Sequence, residues 1–265
     1  MANPGVRLMR IISYNIYGMQ GYPAESAQSD LGPHGSPAHV EHFAQVLQSF
    51  GADVIALQEG VTQSLARDLA RQLSMHLATF PSPTAFPGHV LSRWPVVESR
   101  TFSHVSADED VPPFSRTAGA ALLEGPDLRL WIVNIHLHPG DLDLRAREGD
   151  LLHDRLSALV AETKHAIVVG DFNSAVDEPG IHVHLRDMGF LNTMENADGG
   201  LRLTMDTAGI REWIVDHIYL SPSLSPGLTH ARIIRDEGFR TDSPRPDGRW
   251  DHSDHLPVCA ELDLP

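Results

Sequence analysis

The chain has 265 residues, 42% of them hydrophobic and 21% charged, with a formal net charge of −15. That balance suits a globular core, excludes a membrane-spanning chain because no apolar run approaches ~20 residues, and disfavours avid non-specific binding to nucleic acid. One cysteine, Cys259, excludes an intrachain disulfide and reads as a buried thiol; nothing at the N-terminus reads as a signal peptide, so a cytoplasmic address is expected.

The first strand pattern is the β-branched and aromatic run Arg10–Gly18, which carries Asn15 near its end. A loop rich in Gly, Pro and Ser spans Tyr22 to Pro37. Ser36-Pro37 then predicts a helix start, with Val40, Phe43, Leu47 and Phe50 at helical spacing and Gly51 as the stop. Asp53–Leu57 is a short strand ending in Gln58-Glu59-Gly60, and Leu65, Leu69 and Leu73 mark a second helix. Strand patterns follow at Gly88–Val97, Ala118–Glu124 and Leu128–His136, the last two joined by a Gly125-Pro126-Asp127 turn. A long helix carries Leu144, Leu151, Leu152, Leu156, Leu159 and Val160 on one side. The apolar strand Ala166–Val169 opens into Gly170-Asp171-Phe172-Asn173. A short helix around Ile181–Met188 comes next, then a strand at Trp213–Ser221 with Asp216 inside it. A polar loop, Asp236–Ser253, leads to Asp254-His255 and the final apolar run, Leu256–Leu262. No repeat or linker divides the chain, so one domain over residues 1–265 is expected.

Polar residues thus gather at strand mouths: Asn15, Glu59, His136, Asp171, Asn173, Asp216, Asp254 and His255. The hard oxygen donors Asn15, Glu59 and Asp254 suit Mg2+ or Mn2+. His136, His255 and Asn173 are then free to bond a phosphoryl oxygen, and Asp171 to align or deprotonate water. Other histidines weigh less. His182 and His184 alternate like zinc ligands, but they fall in a helix pattern; His138 and His252 read as solvated loop residues, as do most of the 16 histidines. Arg93 reads as a brace for its strand end, and Arg116 as a candidate substrate contact.

In order, Ser-Tyr-Asn15-Ile, Leu-Gln-Glu59, Leu-Ser-Arg93, Asn-Ile-His136-Leu, Gly-Asp171-Phe-Asn173, Val-Asp216-His-Ile and Ser-Asp254-His255-Leu-Pro-Val resemble the motifs of the endonuclease/exonuclease/phosphatase superfamily over about residues 9 to 262. The resemblance implies a four-layer α/β sandwich, two packed mixed β-sheets flanked by helices, with the site at one end. It implies a divalent metal at Asn15 and Glu59 with Asp254 nearby. Asp171 and Asn173 would act on water and phosphate, and His255 would be the catalytic histidine, oriented by Asp216. Histidine at position 136 is similar to the deoxyribonuclease-I-like and sphingomyelinase-like branches. Two departures stand: His217 follows Asp216 where the family places Tyr, and no motif supplies an acidic partner for His136.

The leading expectation is a magnesium-dependent phosphoric ester hydrolase, a monomer acting on phosphodiesters of a small molecule or lipid. A nuclease on DNA or RNA is the first alternative, and a non-catalytic binding module that kept the fold is the second.

Overall fold

The computed structural model describes residues 7–22, 33–103, 112–197, 200, 203–206, 212–235, 239 and 252–265. Its elements in chain order begin with β1 (Arg7–Asn15), α1 (Pro37–Ser49), β2 (Val54–Gln58), α2 (Gln63–Leu73), β3 (His76–Phe80) and β4 (Gly88–Ser92). There follow β5 (Val96–Thr101), β6 (Thr117–Glu124), β7 (Arg129–His136), α3 (Leu142–Glu162), β8 (Ala166–Asp171) and α4 (Ile181–Asp187). The chain ends with β9 (Leu191–Asn192), β10 (Met205–Asp206), β11 (Glu212–Trp213), β12 (Asp216–Leu220), β13 (Leu228–Ile233) and β14 (Val258–Leu264). Ser36 caps α1 as expected, its side chain accepting from His39 N with Pro37 in the first turn.

Twelve strands make two six-stranded sheets, ordered β13-β14-β1-β2-β4-β3 and β5-β6-β7-β8-β12-β9; β10 and β11 pair apart from them. Each large sheet is mixed, with one parallel pair near its middle, β1 with β2 and β7 with β8. A parallel pair needs a crossover. The segment carrying α1 supplies one, and α3 the other.

Period-2 alternation sorts the strand residues into layers. Met9, Ile11, Val54 and Ala56 of the first sheet face Ile132, Ile167, Val169 and Ile218 of the second in a shared core. The alternate residues turn outward. Ile12, Tyr14, Ile55 and Leu57 pack with Val40, Phe43, Leu47 and Leu69 of α1 and α2, and Val133, Val168 and Tyr219 pack with Leu152, Leu156 and Leu185 of α3 and α4. The order is helices, sheet, sheet, helices, which is the expected four-layer sandwich. No helix of the described residues is long and apolar enough to cross a membrane.

Two expectations need correction, and two edge strands went unpredicted. Gly88–Val97 is not one strand: it breaks at Arg93-Trp94-Pro95, and its halves, β4 and β5, lie in different sheets. The polypeptide crosses the sandwich there, where Pro95 has no N–H for a ladder. Arg93 braces the crossing as predicted, its backbone N bonded to Asp53 O and its Nε to Ala52 O, both at 2.9 Å. The strand read over Trp213–Ser221 begins only at Asp216. Finally, β3 and β13, the two outermost strands of the first sheet, had no predicted counterpart. Half-exposed edge strands lack the continuous apolar run that marks a central one.

Candidate active site

At one end of the sandwich the inward-facing positions change from apolar to polar. The first polar layer is structural. Gln58 Nε2 donates to Asn134 Oδ1 at 2.8 Å, and Asn134 Nδ2 donates to Leu57 O at 2.9 Å and His89 O at 3.0 Å, so the sheets are bonded to each other just beneath the site. These two residues lie outside the predicted set. The signal was there, since Asn134 precedes His136 by one strand period and Gln58 directly precedes Glu59.

One step further out stand the predicted groups. Register sets His136 opposite Asp171, and Asp171 opposite Asp216, so three polar side chains line one rung across β7, β8 and β12. Asn15 ends β1 in the facing sheet, and its Nδ2 donates to Asp171 Oδ2 at 3.0 Å. Asp254 and His255 arrive on the segment before β14, tied down by Ser253 Oγ, which donates to Asn15 O at 2.7 Å.

Two turns aim the remaining residues. Glu59 takes a left-handed φ of 46° just past β2, and Asn173 does the same at 49°, uncommon for non-glycine residues. The Asn173 turn is held by its own N–H to Asp171 Oδ1 at 2.9 Å and by Nδ2 to Leu137 O at 2.9 Å. Gly170 precedes Asp171 at φ 148°, and a Cβ there would lie 1.9 Å from Ile135 O, so only glycine fits.

His255 is the hub. Its Nδ1 lies 2.9 Å from Asp216 Oδ2, and its Nε2 lies 3.7 Å from Asp171 Oδ2 and 3.3 Å from Asn15 Nδ2. Burial opposes charge on this ring, but the carboxylates of Asp216 and Asp171 outweigh it and hold the imidazole well above its ordinary range. Burial lifts the Asp171 carboxyl to about 7, against the pull of His255. His136 is opposite in character: burial, then the charges of Arg116 and His255, keep it neutral. Its Nε2 lies 3.5 Å from Asp171 Oδ2 and 3.9 Å from Glu59 Oε1, while its buried Nδ1 has no partner among the described residues. Among the described residues no acidic group meets His136 at Nδ1; the carboxylates near it face Nε2.

Two groups of donors could hold a cation. Asp171, Asp216 and His255 bring ligand atoms within 4.8 Å of one another, but those atoms already serve each other as an imidazole between two carboxylates. The expected set, Asn15, Glu59 and Asp254, offers oxygen donors of the kind a hard cation takes. Burial and then the neighbouring Asp254 raise the Glu59 carboxyl, partly offset by His255 and Asn15, and a divalent ion would relieve that repulsion.

Arg116 comes to the same mouth. Its guanidinium lies 3.8 Å over the ring of Phe86, which meets His136 edge-on at 6.0 Å. Its buried Nη1 has no partner among the described residues.

Other predictions fall elsewhere. His182 and His184 diverge, His182 to Ser174 and Tyr219 inside and His184 to Asp150 outside, so they form no zinc pair. His138 is structural, its Nδ1 accepting from Asp141 N at 2.9 Å. His252 is not solvated as expected: it is buried against His42 and Phe43 of α1 and Phe239. His217 points away from Asp216 to Asn192 and Phe172, as strand alternation requires. Most of the loop Asp236–Ser253 lies outside the described residues.

A family model described as Endonuclease/Exonuclease/phosphatase family matches residues 12–255. Among solved structures, a mannosyl-6-phosphatase of Bacteroides thetaiotaomicron is 19% identical over 96% of this chain and 99% of its own, with a TM-score of 0.72. A truncated TDP2 of Caenorhabditis elegans is 18% identical over 97% and 98%, with a TM-score of 0.70. A Neisseria 3′ phosphatase bound to a product DNA hairpin is 17% identical over 97% and 100%, with a TM-score of 0.66. At these identities the likeness is one of fold. No curated protein matches the chain.

Proposed function

Because the chain belongs to the endonuclease/exonuclease/phosphatase family, we propose that it is a magnesium- or manganese-dependent hydrolase of phosphate esters, acting on phosphodiesters of a small molecule or lipid. The observation that carries this reading is the meeting at one mouth of two unlike groups. One is an oxygen set, Asn15, Glu59 and Asp254, whose carboxylates repel each other. The other is a buried imidazole, His255, between Asp216 at 2.9 Å and Asp171 at 3.7 Å. A binding module would have no use for that much desolvated, unneutralised charge.

A cation held by Asn15, Glu59 and Asp254 would neutralise charge that builds on the phosphoryl and leaving oxygens. Asp171, lifted to about 7 by burial, aligns water and takes its proton at neutral pH, with Asn173 beside it. His255, held protonated, donates to a phosphoryl oxygen, and Asp216 fixes the orientation of its ring. Neutral His136 and Arg116 supply further donors to the same oxygens.

The nuclease alternative draws on the DNA-bound Neisseria relative, and a net charge of −15 with one lysine weighs against it. The test is turnover of bis-p-nitrophenyl phosphate and p-nitrophenyl phosphate with and without magnesium, in wild type and Glu59→Gln. We expect metal-dependent turnover and a loss of at least ~100-fold in the variant, with unchanged unfolding temperature. Full turnover by Glu59→Gln at low magnesium would remove Glu59 from the metal site. A panel of DNA, RNA, sphingomyelin, lysophospholipid and sugar phosphates then ranks substrates.

A further inference from the structure

Helix α3 turns two charged side chains inward, one turn apart. Arg145 is 6% exposed and Glu148 0%. Apolar side chains would fill this face at lower desolvation cost, so burial of a carboxylate here calls for a reason beyond stability. Glu148 Oε1 accepts from Ser115 N at 2.6 Å, and Oε2 accepts from His138 N at 2.8 Å. Arg145 Nη1 donates to His138 O at 2.8 Å, and its Nη2 to Glu178 Oε2 at 2.6 Å.

The two amides that Glu148 grips are not arbitrary. The β6–β7 ladder ends at the pair Thr117 and His136. Continued outward, its next pairs would be Arg116 with Leu137 and Ser115 with His138. The strands separate there to open the site, and those rungs are not made. The Glu148 carboxylate stands in for the second of them, one oxygen on each strand. It therefore fixes how far apart the two strands run as they pass Arg116 and His136.

Those two residues frame an unused set of donors. Arg116 is stacked on Phe86 with a buried Nη1 that has no partner among the described residues. Phe86 in turn meets His136, and its carbonyl accepts from Thr117 Oγ1. The charge of Arg116 acts on both Glu59 and His136. A guanidinium so placed, with no carboxylate partner among the described residues, is suited to a phosphoryl oxygen.

We propose that Glu148 is a positioning residue: by replacing a rung at the open end of the β6–β7 ladder, it sets Arg116 against His136 as the two sides of a phosphate seat. This rests on the hydrolase reading of the same site. Glu148 touches neither substrate nor cation and acts through the backbone.

The test is a double-mutant cycle of Glu148→Gln and Arg116→Ala. Two quantities are read: kcat/KM on bis-p-nitrophenyl phosphate, and the affinity for inorganic phosphate by calorimetry with magnesium present. Glutamine keeps the shape but offers one acceptor oxygen and sets an NH2 against an amide N–H. We expect each single variant to lose about 10-fold or more in both quantities, with the double variant close to Arg116→Ala alone. The magnesium concentration for half-maximal turnover should not move in Glu148→Gln, which a general loss of structure would not spare. Losses that multiply in the double variant, or wild-type values in Glu148→Gln, overturn the proposal. If Glu148→Gln does not fold, Arg145→Gln loosens His138 from the other side and must show the same dependence on Arg116. Phosphate binding without any metal-dependent turnover would sink the hydrolase reading and leave the seat standing; no phosphate binding by wild type sinks the seat.

Discussion

Acid should undo this protein through its buried histidines, and His89 gives the cleanest measurement. Its ring is 1% exposed; Nε2 donates to Val61 O at 2.9 Å, and Nδ1 lies 3.1 Å from Thr79 Oγ1. The ring also packs where a Cβ on Gly60 would sit, 2.2 Å from its Cδ2. Burial pushes the imidazole from 6.5 down to about 4, with the Val61 carbonyl opposing. A folded-state value below the unfolded one means that the unfolded chain binds the extra proton between the two. The stabilisation is complete above pH 6.5 and is lost as pH falls toward 4. From these two values the loss at pH 5 is about 2 kcal/mol for His89 alone. His182 and His217, lowered to about 4 and about 3 by burial, add similar amounts, against a total stability of about 5–15 kcal/mol. Urea unfolding of wild type and His89→Gln at pH 7.5, 6.5, 5.5 and 5.0 isolates the effect, because titrating carboxylates are common to both. The variant should start about 1–3 kcal/mol lower from packing loss, yet lose about 2 kcal/mol less than wild type on going to pH 5. Parallel pH curves would refute a neutral buried His89.

Further outcomes follow from the site and the core. Asp216→Asn and His255→Ala should each lower kcat/KM by at least ~100-fold, and the double variant should be little worse than His255→Ala, because Asp216 acts through the ring it holds. Losses that multiply would separate the two residues. Gly170→Ala should cost more than ~3 kcal/mol in urea unfolding, since its Cβ would meet Ile135 O at 1.9 Å; a variant within 1 kcal/mol of wild type would show that β8 can shift. Cys259, raised to about 11 by burial, should resist a disulfide reagent at pH 8 until denaturant is added, and rapid labelling of the native protein would contradict its burial.

How much of this was legible in the chain depended on where a residue stands. Asn15, Glu59, His136 and Asp171 close apolar strand runs, and Asp216 and His255 stand just before or at the start of one, so each adjoins a run that is plain in the sequence. The four-layer order came from the resemblance, and the alternation of β1, β7, β8 and β12 accounts for it. Glu148 was unreadable for the opposite reason. Its spacing from Leu144 and Leu152 puts it on the apolar side of the helix, but a charged residue type outweighed that spacing, and its partners are backbone amides 33 and 10 residues away. Gln58 and Asn134 were hidden by their neighbours Glu59 and His136, which took the chemical reading. Trp94-Pro95 misled because an apolar run with proline still resembles one edge strand, although here it carries the chain from one sheet to the other.

The position of β14 also bears on how the molecule is made. It lies between β13 and β1, joined to both along its length, and the segment before it brings Asp254 and His255. The second sheet draws all its strands from the middle of the chain and can assemble while synthesis continues. The first cannot: β1 leaves the ribosome early and waits with one edge unpaired until residues through Leu264 emerge. That exposed edge is open to pairing with other chains in the interval. A nascent chain stalled before Val258 would hold Asn15 and Glu59 in an unfinished sheet.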